Sequence, residues 1–317
     1  MSHQEAQINQ QINQYIEQFK NFKSHFSSHP NYIEIDEYGF ALTTKKNEIN
    51  LLIAGVTHGN EVIGLEIIDL LLTDIKNNND LGLGVAFVLN NIPASLQNKR
   101  CLEKDLNRCF ISNDNKTSEE KRAVEIQNII LNLKEKYQLQ MILDLHQTSE
   151  PTKDVFWIMT EDEKLIKYAH HMRPDFPIVT FSNSGFSKEG QTLTEFAKTY
   201  SIPAFVIEIG QSGFNNERAM LMKNLIQILD VDQILNTEAA NQINYYHINE
   251  VIPAEPDLKL KPNLYSFQSF KKNEVLTDSP RSYQMPEDGV IIFPFYVKEN
   301  EPAFNLGYVA FARSLKL

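Results

Sequence analysis

From Leu51 to Leu235 the chain alternates short apolar runs with amphipathic segments of helical spacing, and this alternation restricts the fold more than any other feature. The apolar runs are Leu51 to Ala54, Val85 to Leu89, Met141 to Leu145, Val155 to Met159, Ile178 to Phe181 and Ala204 to Ile209. Between them, Glu61 to Lys76, Ser118 to Tyr137, Asp162 to Met172, Thr192 to Tyr200 and Phe214 to Leu235 read as helices. Near-continuous apolar strands separated by helices bury both faces of a sheet, so the expected class is α/β around a largely parallel sheet. Ile8, Ile12, Tyr15, Ile16 and Phe19 recur at three- and four-residue steps and predict a preceding surface helix. Strand candidates lie around Phe40 to Leu42 and from Asn50 to Ala54, and Asn77 to Asp80 ends the helix that follows.

The pattern changes near Ala240. Beyond it prolines recur from Pro253 to Pro302 between short β-prone runs such as Val290 to Phe293 and Tyr308 to Phe311. This predicts two domains, an α/β domain over 1–240 and a small β-rich domain over 241–317. The 41 acidic and 30 basic side chains give a formal charge of −11, which opposes binding to nucleic acid. No apolar run is long enough to span a bilayer and the first residues lack the features of a signal peptide. Two cysteines, Cys101 and Cys109, read as free structural thiols in a reducing compartment, so the expected location is cytoplasmic. A homo-oligomer is compatible with this composition.

Chemistry concentrates at the ends of the apolar runs. Gly55-Val56-Thr57-His58-Gly59-Asn60-Glu61 sets an imidazole and a carboxylate three residues apart at a strand-to-helix junction. Such a pair suits Zn²⁺, and a catalytic zinc site takes three protein ligands with one position left for water. His146, ending a central strand, is the best third ligand, because ligands in an open sheet gather at the carboxyl ends of strands. Asp144 shares its face and could orient it. Glu208 lies in the otherwise apolar run Ala204 to Ile209, where a carboxylate is costly without a partner or a task. It is either a general base for a zinc-activated water or one half of a strand-end ion pair. Lys99, Arg100, Lys104 and Arg108 collect in a loop of an acidic protein, as either a solvated charge run or a site for a substrate anion.

Taken together, Gly55-x-x-His58-Gly59-Asn60-Glu61, Asn91-x-Pro93-Ala94, Lys99-Arg100, Asp105-Leu106-Asn107-Arg108-x-Phe110, Asp144-Leu145-His146 and Glu208-x-Gly210 resemble the succinylglutamate desuccinylase/aspartoacylase family of zinc amidohydrolases, relatives of the zinc carboxypeptidases. The resemblance implies a zinc-peptidase-like three-layer α/β/α domain with a mostly parallel mixed sheet, and a β-rich C-terminal domain that narrows the site. It implies one Zn²⁺ on His58, Glu61 and His146, with Glu208 as base and Arg100 polarising the scissile carbonyl. Asn107 and Arg108 would bind a substrate carboxylate, and the substrate would be an N-acyl amino acid such as succinylglutamate or N-acetylaspartate. Two positions depart from the aspartoacylase pattern. Lys198 stands where an Arg precedes the base, and no Tyr-Tyr pair occurs near Phe304, while Gly190 to Phe196 looks more like the desuccinylase branch. The competing readings are a metallocarboxypeptidase acting on peptide C-termini and a zinc- or ligand-binding protein without catalysis.

Overall fold

The structure is a computed structural model that describes residues 3–78, 82–110, 115–150, 152, 154–182, 191–236, 242–255, 257–279, 281–296 and 305–316. The predicted domain boundary at Ala240, the end of the Asn77 to Asp80 helix stop, Gly190 and Phe304 lie outside the described residues. Along the chain, α1 (His3–Phe26) precedes β1 (Tyr32–Asp36), β2 (Gly39–Leu42), β3 (Leu51–Gly55), α2 (Ile63–Asn78), β4 (Val85–Leu89) and the single turn α3 (Ile92–Ser95). Then come α4 (Ser118–Tyr137), β5 (Met141–Thr148), β6 (Phe156–Thr160), α5 (Glu163–Met172), β7 (Ile178–Phe181), α6 (Leu193–Thr199), β8 (Ala204–Gln211), α7 (Asn216–Gln227) and α8 (Val231–Leu235). The chain ends with β9 (Gln242–Pro253), β10 (Gln268–Phe270), β11 (Gly289–Ile292) and β12 (Asn305–Lys316).

The molecule falls into two compact units, Met1–Gln147 with Glu189–Thr237, and Thr148–Lys188 with Glu238–Leu317. This division differs from the predicted partition into 1–240 and 241–317. Residues 148–188 group with the C-terminal strands because β7 pairs in parallel with β9, from Val179↔Tyr246 to Phe181↔Ile248.

In the first unit the strand order is β1-β2-β4-β3-β5-β8. β3 runs parallel to both β4 and β5, whereas β2 joins β4, and β1 joins β2, in antiparallel fashion. The sheet is therefore mixed. Its central strands β3, β4 and β5 are buried along their whole length, as unbroken apolar runs require. Strand alternation sorts the packing. Leu52, Ala54 and Ile142 pack with Ala123, Ile126 and Ile130 of α4 and with Leu193, Phe196 and Ala197 of α6. On the opposite face α2 comes close enough for the Cα of Gly55 and the Cβ of Leu145 to abut Gly64. Helix α4 starts at the predicted residue, but its capping box is Thr117 with Glu120. The single helix predicted over Phe214 to Leu235 is two, because α7 closes at Ile228 and Asp230 caps a new start through Gln233 N.

The second unit orders its strands β6-β7-β9-β12-β11-β10, parallel at the β6/β7 and β7/β9 pairs and antiparallel beyond. Its largest ladder joins β9 to β12 from Asn305↔Pro253 to Lys316↔Gln242, with shifts in register. A separate core of Ile252, Leu260, Leu276, Met285, Ile291 and Val309 fills it. No helix among the described residues is long and apolar enough to cross a membrane.

Candidate metal centre

His58 lies in the turn that leaves β3, and Glu61 closes that turn by donating its backbone N–H to His58 O at 3.0 Å. The turn is pressed against the next motif. A Cβ on Gly59 would fall 2.4 Å from Ala94 C and Ser95 N, and Gly59 N donates to Arg100 O at 3.0 Å. Glycine is needed here because two backbones pass in contact. This close approach joins the His-Gly-Asn-Glu motif to the Asn-Ile-Pro-Ala turn, where Asn91 caps α3. Val56, two residues before His58, holds a φ of 52°, a costly conformation for a β-branched residue and one that directs the chain into the turn.

Three side chains converge. His58 Nδ1 lies 2.8 Å from Glu61 Oε1, and His146 Nδ1 lies 2.8 Å from Glu61 Oε2. One donor atom from each of the three falls within 4.8 Å of the others, and all three residues are buried. The outer ring nitrogens also meet carboxylates, with His58 Nε2 3.1 Å from Asp105 Oδ1 and His146 Nε2 2.8 Å from Asp144 Oδ2. Asp144 in turn accepts from Thr57 Oγ1 at 2.7 Å, and Thr57 Oγ1 accepts from Asn90 Nδ2 at 2.8 Å. A carboxylate behind each imidazole orients the ring, the arrangement by which histidine ligands are held at metals.

The electrostatics agree with this geometry. Burial lifts the Glu61 carboxyl, yet the imidazoles on its two oxygens outweigh burial and hold it below the ordinary carboxylate range. Burial likewise opposes ionisation of Asp105, and His58 and Arg100 overcome it. His146 is disfavoured as a cation by burial, but Asp144 and Glu61 raise it well above the usual imidazole value. Four carboxyl groups, on Glu61, Asp105, Asp144 and Glu208, thus surround two imidazoles and one guanidinium. Such a donor set suits a divalent cation.

Arg100 bridges this cluster. Its guanidinium donates to Glu61 Oε1 at 3.2 Å and to Asp105 Oδ2 at 3.0 Å, and its Nη2 lies 2.8 Å from His58 Nε2. Its side chain remains 42% exposed, so a ligand can reach it. The loop that carries it is anchored from α4, where buried Glu119 accepts from Leu102 N at 2.6 Å and from Glu103 N and Lys104 N at 3.4 Å. Asp105 then opens a 3-10 turn, Leu106–Arg108, by accepting from Asn107 N at 2.9 Å. Asn107 is buried and its Oδ1 accepts from Leu193 N at 2.9 Å, a structural task at the start of α6. Arg108 donates to Asn107 O at 2.7 Å. Cys101 and Cys109 are free thiols.

Glu208 occupies β8, adjacent to β5. It is 7% exposed, and among the described residues its buried Oε2 has no hydrogen-bond partner. Burial, and next the charge of Glu61, push its carboxyl up to about 8 against the pull of His146 and Arg100. The conformation beyond it is imposed by Gly210, whose φ of 94° leaves room for Arg218, which donates to Ile209 O at 3.1 Å.

The residues singled out from the sequence thus fall into a convergent group, His58, Glu61, His146 and Arg100, with Glu208 acting on its charges and Asn107 and Arg108 on the adjoining turn. Sequence reasoning passed over Asp105, Thr57, Asn90 and Glu119 as functional supports. Asp105 had a visible signal, an acid within a cationic loop, and Thr57 and Asn90 are polar residues just past apolar strands. Glu119 carried no local signal, since acids are ordinary in a first helical turn.

Comparison with known proteins agrees with the geometry. The family model for the succinylglutamate desuccinylase/aspartoacylase catalytic domain matches residues 47–230, more than half of the chain. A probable aspartoacylase from Nostoc sp. is 29% identical over 62% of this chain and 69% of its own length. A succinylglutamate desuccinylase from Pseudoalteromonas atlantica is 24% identical over 80% of this chain and 79% of its own. Among solved structures, a succinylglutamate desuccinylase from Vibrio parahaemolyticus superposes with a TM-score of 0.69 at 16% identity, covering 91% of this chain and 94% of that one. Murine aminoacylase 3 superposes with a TM-score of 0.65 at 21% identity, covering 84% and 96%.

Proposed function

The chain belongs to the succinylglutamate desuccinylase/aspartoacylase family, and from that premise we propose that it hydrolyses the amide bond of an N-acyl amino acid with one Zn²⁺ held by His58, Glu61 and His146. The observation that carries this reading is the pair of buried imidazoles turned by Asp105 and Asp144 onto the two oxygens of one carboxylate. When bound there, zinc supplies a Lewis acid and lowers the pKa of water.

The remaining chemistry belongs to side chains. Glu208, desolvated and with no hydrogen-bond partner for Oε2 among the described residues, takes a proton from the attacking water and returns it to the leaving amine. Burial, and next the charge of Glu61, favour the protonated form of this carboxyl, which helps it hold the proton between the two transfers. Arg100 is positioned by Asp105 to stabilise the oxyanion that develops from the amide carbonyl. Arg108, with the amide nitrogen of Asn107, receives the substrate carboxylate. Lys198, on the last turn of α6, replaces the cation that the aspartoacylase pattern has before the base. A succinyl- or acetyl-amino acid with an acidic side chain is the substrate class this set favours.

Metal analysis followed by amine release from a panel of acetyl- and succinyl-amino acids, with short peptides alongside, tests the proposal. One zinc per chain and release from acyl amino acids are expected. Preferential release from peptide C-termini would make the chain a carboxypeptidase, and zinc binding without any release would make it a binding protein.

A further inference from the structure

We infer that Gln147 is a positioning residue that sets the separation between the metal ligands and the general base. The inference rests on the proposed roles of Glu61 and Glu208.

Strand β5 is buried along its whole length, so a primary amide inside it must find partners for every polar atom. Gln147 is 2% exposed and meets that demand in full. Its Oε1 accepts from Ile63 N at 3.1 Å and Gly213 N at 3.3 Å, and its Nε2 donates to Gln211 O and to Gly213 O, each at 2.8 Å. Its backbone N–H donates to Glu61 Oε2 at 3.0 Å. One residue therefore holds a metal ligand directly, caps the helix that starts two residues after that ligand, and grips the chain just past the strand of the base.

Alternation along β5 explains how two neighbours share this work. His146 points to the face of Asp144, whereas Gln147 points to the face of Leu145, where α2 packs. Ile63 N is one of the first-turn amides that a helix leaves without an internal acceptor, and Gln147 supplies it. At the other end of the clamp, Gly210 and Gly213 have φ of 94° and 126°. Glycines in this region leave the exit from β8 conformationally permissive, so its position depends on what it is tied to. Only an amide has both two acceptor directions and two donor hydrogens. Glutamate is the same shape but has no hydrogens to give to Gln211 O and Gly213 O, and it adds a negative charge facing those two carbonyls.

The consequence is kinetic. A misplacement of about 1 Å between reacting groups costs roughly 10²-fold in rate even when binding is intact. Gln147→Glu and Gln147→Ala in the full zinc-loaded chain should lower kcat by about 10- to 100-fold with KM nearly unchanged. Zinc affinity, measured by competition with a chromophoric chelator, should fall by about 10-fold or less, because the three ligands remain. Amide hydrogen exchange at Ile63 and Gly213 should accelerate by about 10-fold or more in metal-free Gln147→Ala, which removes their shared acceptor, independently of any assay of activity. Wild-type kcat per zinc-loaded molecule in Gln147→Glu, or unchanged exchange at both amides, would overturn the inference while leaving the zinc hydrolase intact. A wild-type chain that binds no zinc would instead remove the site reading and this role with it.

Discussion

The corner formed by His58, Glu61 and His146 and the end of β8 that carries Glu208 are adjacent, yet they are built in opposite ways. Around His58, Glu61 and His146, both ring nitrogens of each histidine and both oxygens of Glu61 have polar neighbours, and carboxylates back both imidazoles. Glu208, one strand away, keeps Oε2 buried with no hydrogen-bond partner among the described residues. The first arrangement lowers the pKa of a carboxyl and the second raises one, although both groups are buried. The difference teaches that burial alone does not decide protonation: neighbours separate the two buried carboxyls, one held below the ordinary range and one above it.

The strongest way to break this contrast is to remove the anion. Glu61→Ala should weaken zinc binding by on the order of 10³-fold or more and abolish hydrolysis, as read by metal competition and amine release. Next in size is a pH effect in the metal-free chain. Glu208 titrates near 8 when folded and near 4.5 as an ordinary carboxyl, so the folded state holds the extra proton. Its contribution to stability is fully present below pH 4.5 and is lost as the pH rises through about 8. Denaturant titrations at several pH values should show Glu208→Gln gaining roughly 1–3 kcal/mol on the wild type above that range. A constant difference between the two proteins would refute the raised value.

Smaller effects sharpen the contrast from the ligand side. Asp105→Asn or Asp144→Asn should weaken zinc by about 10- to 100-fold in a folded protein, because each carboxylate orients one imidazole. Glu119→Gln should lower kcat/KM by a few fold, about 1 kcal/mol, through loss of charge at the backbone amides that hold the Arg100 loop. Unchanged zinc affinity in both aspartate variants would mean that the imidazoles are oriented by packing alone.

Much of this arrangement was legible in the sequence, for definable reasons. Buried central strands are unbroken apolar runs, so β3, β4, β5 and β8 and the polar residues at their ends could be located from Leu51, Val85, Met141 and Ala204 onward. His58, Glu61, His146 and Glu208 stood out because charge and imidazole are expensive in such surroundings. Relations that depend on distant segments meeting were not legible. Asp105 and His58, or Glu119 and Leu102, come together only through tertiary folding. The mixed character of β9 hid its pairing with β12 and with β7, and so the grouping of residues 148–188 with the C-terminal strands. The break between α7 and α8 was hidden because Ile228 and Leu229 continue an apolar pattern across it.

The division of labour between ligand and base is tested most directly by Glu208→Gln, which preserves shape and removes the proton carrier. Zinc content and chelator competition should match the wild type at one ion per chain, while kcat for acyl amino acid hydrolysis falls by about 10³-fold. Turnover within a few fold of the wild type, or loss of zinc together with activity, would contradict the account.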